Sequence, residues 1–475
     1  MRNMKRRDFL GQSGKQVVGL AAAASMMSCD RGSLPARSTE RPNIIILFAD
    51  DMGYGDWEGG GHPTIRTPNL MRMAREGTTV TQFYAGCPYC SPSRAALLTG
   101  RNYIRTGVIR VFFPGDERGM SPDEITIADI LKQEEYKTAC IGKWHLGERQ
   151  EYRPQNQGFD YYYGLLHSNN MYDFKLYRNN EVIEDPVDQS TLTKRYTEEA
   201  VKFIENSGDT PFFLYLPYTM PHVPVHASDR FAGKSRNGDY GDAVEEIDWS
   251  VGVLLDTLER LGLSENTLVV FTSDNGPAMY KSVPRGSSGL LRGCKGDTWE
   301  GGMRVPFIAR WTGKIPAGSV SRAVGSVTDL LPLVTAVTGI ATPSDRPYDG
   351  VNLMPVLKGD EPPERSIFYY RADELYAIRH GKWKLHFKIF EYPGGDYHIG
   401  QRKVRVLEEP ILFNLEIDPS ERYDMAPDYP DVVHRLIKLS EAYKIEIKHY
   451  NENADLIEWF NTDFLTKEHK LTGKN

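Results

Sequence analysis

Short apolar runs alternate with amphipathic stretches along most of the chain. Asn43 to Phe48 (NIIILF) is apolar after its first residue and β-branched at three positions, which predicts a strand buried on both faces of a sheet. Thr267 to Thr272 (TLVVFT) repeats that pattern, and KTACI (Lys137 to Ile141) and PFFLYL (Pro211 to Leu216) are shorter versions of it. Amphipathic helices fall between the runs. Over Ala243 to Arg260, for example, Val244, Ile247, Val251, Leu254, Leu255 and Leu258 recur at helical spacing. Strands alternating with helices predict an α/β fold, a mostly parallel sheet covered on both faces. Ligands of such sheets bind beyond the carboxyl ends of the strands.

Around Pro343 to Val351 the pattern changes. SIFYYR, YAIRH, WKLHF and ILFNL are short aromatic-rich runs, followed by a helical stretch from Val432 to about Ile447. They predict a small antiparallel sheet packed with a helix, with DPSER (Asp418 to Arg422) as a turn. The chain therefore divides into residues 1–33, a large α/β domain over 41–345 and a smaller α+β subdomain over 346–475.

Residues 1–33 do not belong to the fold. Arg6 and Arg7, followed by Phe9 and Leu10, precede an apolar run from Val17 to Met27, of signal-peptide and not membrane-spanning length. The pattern resembles a bacterial twin-arginine export signal. Cys29 after Ser28 makes an imperfect lipoprotein cleavage site, and a plain cleaved signal fits the same residues. The expected location is the periplasm or a lipid-anchored cell surface, with the membrane touched only through that anchor.

Composition narrows the partners. At 475 residues with 40% hydrophobic and 25% charged side chains, the chain has material for a substantial core. A net charge of −7 argues against nucleic acid as a partner. Five cysteines are too few for a disulfide-built secreted domain.

Two polar pairs stand directly after predicted strands: Asp50-Asp51 and Asp274-Asn275. Adjacent carboxylates repel, and a cation offsets that repulsion. Four oxygen donors suit calcium or magnesium better than zinc, which prefers nitrogen and sulfur; as ordinary turn residues they need no ion. GKWHLG places Lys143 and His145 two apart, on one face of an extended segment. His222 lies in the rigid stretch Pro221 to Pro224, and Lys295 among glycines. Gathered at one sheet edge, these groups form a cationic pocket for a small oxyanion. Cys87 and Cys90 have no second pair to complete a zinc site, and a redox pair stays open on spacing alone. Pro92 marks a helix start, which puts Cys90 just before a helix N-terminus, where anions are favoured.

Cys90-Ser-Pro-Ser-Arg94, followed by AALLTGR, resembles the signature of the type I sulfatases. The resemblance extends through Asp50-Asp51, GKWHLG, PHVPVHA, FTSDNGP, KGDTWEGGMRVPFIARW and SDRPYDGVNLMP, from about Arg41 to the end. It is nearest in wording to the arylsulfatase A and N-acetylgalactosamine-6-sulfatase branch. The resemblance implies an alkaline-phosphatase-like fold and a sulfuric ester hydrolase. It implies that a maturing enzyme oxidises Cys90 to Cα-formylglycine, whose hydrate attacks sulfur. By the same likeness Asp50, Asp51, Asp274 and Asn275 hold calcium, and Arg94, Lys143, His145, His222 and Lys295 surround the aldehyde hydrate and the sulfate. Ser168 matches a serine near the site, and Cys87, Cys140 and Cys294 are bystanders. His222 with Lys295 is expected to protonate the leaving alcohol, and His145 to act as base. The expected substrate is a sulfated glycan such as a galactose or N-acetylgalactosamine 6-sulfate, with aryl sulfates as surrogates. His167 to Tyr172 and Lys281 to Leu291 are expected to contact the leaving group. A phosphatase or phosphonate hydrolase of the same superfamily, and a glycan-binding lipoprotein with unmodified Cys90, are the competing readings.

Overall fold

The computed structural model describes residues 41–172, 174–279, 286–361, 364–392 and 403–453. Residues 1–33, with Cys29, lie outside the described residues, as do 281–285 of the loop expected to meet the leaving group. The described chain from Pro42 onward belongs to one compact unit. No helix of it is long and apolar enough to cross a membrane.

The expected α/β architecture is present. At its centre β1 (Asn43–Ala49) pairs in parallel with β7 (Phe212–Pro217) on one side and β8 (Thr267–Ser273) on the other. β3 (Lys137–Ile141) and β4 (Tyr161–Leu165) extend the parallel part beyond β7. Successive side chains of a strand face opposite ways, and β1 divides accordingly. Ile44, Ile46 and Phe48 join the core that contains α2 (Cys90–Thr99). Ile45, Leu47 and Ala49 join the core that contains α4 (Leu192–Glu205) and α5 (Gly238–Arg260). Ile44 to Leu47 are fully buried, each contributing roughly 1.5–3 kcal/mol, which is why this run is apolar without alternation. Between α1 (Pro68–Arg75), which joins the same core as α4 and α5, and α2 runs β2 (Thr78–Tyr84); α3 (Ile127–Gln133) precedes β3.

The flanks were not legible in the pattern. β10 (Phe307–Arg310) runs antiparallel between β8 and β2, with β11 (Ser319–Ser326) at that edge and the two-residue β9 (Arg304–Val305) on β2. β5 (Leu176–Arg178) and β6 (Glu181–Glu184) close the other edge. Beyond α6 (Leu330–Thr338) the expected second sheet is found as a meander, β12 (Ser366–Arg371), β13 (Glu374–His380), β14 (Trp383–Glu391) and β15 (Lys403–Asn414). It is covered by α7 (Pro430–Asn453) through Leu436, Leu385 and Leu412.

β1, β3, β4, β7 and β8 all end at one edge, so Asp50, Gly142, Ser168, His222 and Asp274 issue from a common rim. Gly142 is the tightest of these exits. Its φ is +131°, and an added Cβ would stand 1.9 Å from the Pro217 carbonyl oxygen. Gly142→Ala is expected to cost roughly 1–3 kcal/mol from the backbone conformation alone, with a further loss of activity because Lys143 is the next residue. Urea titration against the parent protein measures the first effect; an unchanged midpoint would contradict it.

Candidate active site

The rim brings together Asp50, Asp51, Cys90, Arg94, Lys143, His145, Ser168, His222, Asp274, Asn275 and Lys295, though not with the local geometry expected of each. Cys90 is the first residue of α2, with Tyr89 as N-cap, so it stands inside the helix terminus and not before it. Lys143 and His145 do not alternate along an extended segment, because Gly142 and His145 both have positive φ. His222 sits in a turn flanked by cis bonds at Met220-Pro221 and Val223-Pro224, not in an extended stretch.

Asp50 is surrounded by cations. Lys143 Nζ reaches its Oδ2 at 2.5 Å and Arg94 Nη2 stands 3.6 Å away. Burial alone would raise this carboxyl, but Lys143, His222, Arg94 and Lys295 outweigh it and hold it well below the usual range. Asp51, at φ 65°, meets Lys295 Nζ at 2.7 Å and His222 Nε2 at 3.6 Å. Asp274 receives the Asp51 amide at 3.0 Å and Arg94 Nη2 at 2.8 Å. Burial, and then the negative charge of Asp50, raises its carboxyl. Asn275 donates through Nδ2 to Asp51 at 2.7 Å and to the Gly276 carbonyl at 2.9 Å.

The Cys90 thiol lies in the middle, donating to Asp50 Oδ1 at 3.4 Å and receiving Lys295 Nζ at 3.4 Å. Burial, then the charge of Asp50, pushes its pKa up. A buried thiol held in its neutral form is a poor nucleophile. Ser168 Oγ accepts from Lys143 at 3.1 Å and lies 3.4 Å from the His222 ring nitrogens. His222 Nδ1 faces two acceptors, Asn169 Oδ1 at 3.0 Å and the Val223 carbonyl at 2.6 Å. That fixes the proton on Nδ1 and turns Nε2 to the site. Burial and then Lys295 push the ring down to about 4. His145 Nε2 meets the Phe112 carbonyl at 3.0 Å, so Nε2 carries the hydrogen, while Nδ1 is buried with no partner among the described residues. Burial, then Lys143, holds this ring well below its ordinary pKa.

The donor set fits a divalent cation. Asn275 has spent its amide hydrogens, and its Oδ1 is buried without a hydrogen-bond partner, a condition that costs roughly 1–3 kcal/mol. Three carboxylates converge beside it, hard oxygen donors of the kind calcium and magnesium take. Asp50, Asp51, Cys90 and His222 also offer ligand atoms within 4.8 Å of one another, but a hard cation takes the oxygens first.

Sequence reasoning missed residues that hold this rim in place. Asp56, in the glycine-rich loop after Asp51, accepts from Gly53 N, Tyr240 OH and Ser287 N, each at 2.6 Å. Its acidic side chain among glycines beside a strand end was the available signal. Asn169 holds His222, and nothing in its context marks it. Four residues after Lys295, Trp299 begins a segment clamped by the second sheet. There Lys384 Nζ meets Glu300 at 3.0 Å and Glu421 at 2.9 Å, His386 meets Glu421 at 2.7 Å, and Glu421 accepts the Glu300 amide at 2.7 Å. Cys87, Cys140 and Cys294 are buried and form no disulfide among the described residues; Cys294 lies beside Tyr392 at 3.7 Å.

A mixed α/β sheet carrying carboxylates, lysines and a helix-terminal cysteine at its carboxyl rim defines a hydrolase built for a small oxyanion ester. The chain belongs to the sulfatase family: the sulfatase profile matches residues 42–340, and the profile for the C-terminal region of aryl-sulfatase matches 362–467. The N-acetylgalactosamine-6-sulfatase of Canis lupus familiaris is 40% identical over 453 residues, covering 86% of this chain and 87% of its own. A sulfatase from Pseudoalteromonas sp. superposes with a TM-score of 0.80 at 29% identity, over 90% of this chain and 93% of that one. A Bacteroides thetaiotaomicron structure, described in terms of the metabolism of multiple glycosaminoglycans, has a TM-score of 0.77 at 28% identity, covering 86% of this chain and all of its own (100%). The protein is a sulfuric ester hydrolase.

Proposed function

We propose that this enzyme removes sulfate from a glycan, a galactose- or N-acetylgalactosamine-type 6-sulfate, with Cys90 converted to formylglycine and calcium held by Asp50, Asp51, Asp274 and Asn275. The observation that carries the reading is the Cys90 thiol, buried between Asp50 and Lys295 in its neutral form. A residue so placed has little use as a thiol. The N-acetylgalactosamine-6-sulfatase relatives and the glycosaminoglycan-related structure support the sugar.

Formylglycine at position 90 would supply a hydrated aldehyde as an oxygen nucleophile, and a divalent cation would acidify that hydrate and offset charge on the sulfate. The remaining work falls to side chains already in position. Lys143 and Lys295, now neutralised by Asp50 and Asp51, are placed to take sulfate oxygens once a cation satisfies those carboxylates. Arg94, bonded to Asp274 and to the Lys143 carbonyl at 2.9 Å, orients both sides of the site. Lys295 and His222 both meet Asp51. With its Nδ1 hydrogen held by Asn169 and Val223, His222 turns Nε2 to the site, where together with Lys295 it would serve protonation of the departing alcohol. His145 offers an unclaimed Nδ1 lone pair, the state required of a base. Ser168 links Lys143 to His222.

Mass spectrometry of the peptide spanning Cys90 tests the modification, and an unaltered thiol in fully active protein would overturn it. Chelation is expected to abolish turnover and lower Tm, and added calcium to restore both, because a ligand bound only by the folded state stabilises by about 2.7 kcal/mol at a hundredfold excess over Kd. A Tm indifferent to chelator and calcium would refute the assigned cation site. Export, lipidation at Cys29 and a separate maturing enzyme remain readings of residues 1–33 and of the Cys90 motif alone.

A further inference from the structure

A cleft of about 470 Å³ opens between the start of α4 with the loop that enters it, the 228–231 loop and Trp249 of α5. Its volume lies within the roughly 300–1,000 Å³ of small-ligand sites. Half-buried Trp249 forms its apolar wall with Phe231, ring centroids 5.8 Å apart. The Arg230 guanidinium lies over both rings, 5.1 and 5.3 Å from their centroids. Facing them are Asp188, Ser190 and Lys194.

The chemistry of the lining selects a ligand class. Arg230 and Lys194 are balanced by Asp188 and Asp229, so the cleft offers no net field for a second anion. A purely apolar ligand would strand four charged groups. Donors, acceptors and a flat aromatic wall together suit a molecule with hydroxyls at its edges and C–H bonds on its faces, which describes a sugar ring.

The cleft is also joined to the catalytic rim. A helix leading into a parallel strand starts near the carboxyl edge of the sheet, so the start of α4 lies on the side of Cys90. Gln189, between Asp188 and Ser190, donates to the Asn169 carbonyl at 3.2 Å and accepts from Asn169 Nδ2 at 2.9 Å. The same Asn169 holds His222. Gln189, flanked by the lining residues Asp188 and Ser190, thus ties the wall of the cleft to His222 through Asn169.

We propose that this cleft is a second carbohydrate subsite, taking an uncharged sugar residue of the glycan whose sulfated residue occupies the rim. The proposal rests on the glycan reading above. Its test compares the parent enzyme with Arg230→Ala and Trp249→Ala on three substrates: an aryl sulfate, galactose 6-sulfate, and an N-acetyllactosamine hexasaccharide bearing one terminal galactose 6-sulfate. The ratio of kcat/KM for the hexasaccharide to that for the monosaccharide is expected to fall on the order of tenfold in each variant, mainly through KM. Arg230 is exposed, so the test does not depend on the folding of the Trp249 variant. An unchanged ratio in Arg230→Ala, or an equal loss on the aryl sulfate, would overturn the subsite. Calorimetry with the unsulfated hexasaccharide separates the two proposals. Binding that Arg230→Ala weakens tenfold supports the cleft even if only aryl sulfates are hydrolysed, in which case the glycan reading fails alone. No binding to the parent protein, with no hexasaccharide preference, overturns the cleft.

Discussion

Cys90→Ala is expected to reduce sulfate release on the order of 10⁴-fold or more, as loss of a nucleophile does, while Tm moves little. Among the described residues the thiol makes two long polar contacts, to Asp50 and Lys295 at 3.4 Å each. Its removal deletes one small buried group, an effect of about 1 kcal/mol. Activity on an aryl sulfate and the thermal midpoint are read on the same preparation. Residual turnover within tenfold of the parent would refute the role of Cys90, and a collapse of Tm would assign it to structure. Cys90→Ser separates the proposal from a simple hydroxyl nucleophile, because serine supplies one oxygen where an aldehyde hydrate supplies two.

The largest effect on stability is expected in the second sheet, at Lys384. Lys384 is fully buried between Glu300 and Glu421 and lies 4.1 Å from the Tyr369 ring centroid. Burial would raise Glu300, but Lys384, then Arg379 and Arg304, bring it down to about 2. His386 is pushed down by burial and does not replace the lost charge at neutral pH. Lys384→Met therefore leaves two buried carboxylates short of a cation, at a cost of about 3–5 kcal/mol. The sign with pH is fixed. A carboxyl whose folded pKa lies below its unfolded value gives stability above about 4.5 that is lost as pH falls toward about 2. The variant loses the Lys384 part of that contribution, the first of the cations that lower Glu300, so its deficit is largest at pH 7 and shrinks as the solution is acidified. Urea titrations at pH 7 and pH 4 measure it; a deficit equal at both would contradict the charge account.

These two sites also mark what could be read from residues alone. Asp50, Asp274 and the lysines were legible because strands of a parallel sheet present their following residues to one edge, whatever their distance in sequence. The pairing of β1 with β8, which sets Ala49 opposite Ser273, was not legible, since no local pattern names a neighbour. The antiparallel insertion of β10 has the same cause. Lys143 and His145 were misplaced on one face because the reading assumed an extended backbone, and the positive φ at His145 breaks it. Glu300 and Glu421 were invisible for a different reason. Charged side chains are usually solvated, and their contact joins positions 121 residues apart.

The burial of Cys90 has a practical reach. Cys87, Cys90, Cys140 and Cys294 are all buried, so a thiol reagent added to folded protein meets none of the described sulfurs. The extent of conversion at position 90 cannot be titrated in the native enzyme. After denaturation the proposed conversion becomes a count: each converted chain lacks one reactive sulfur, and total activity divided by that shortfall gives turnover per competent molecule.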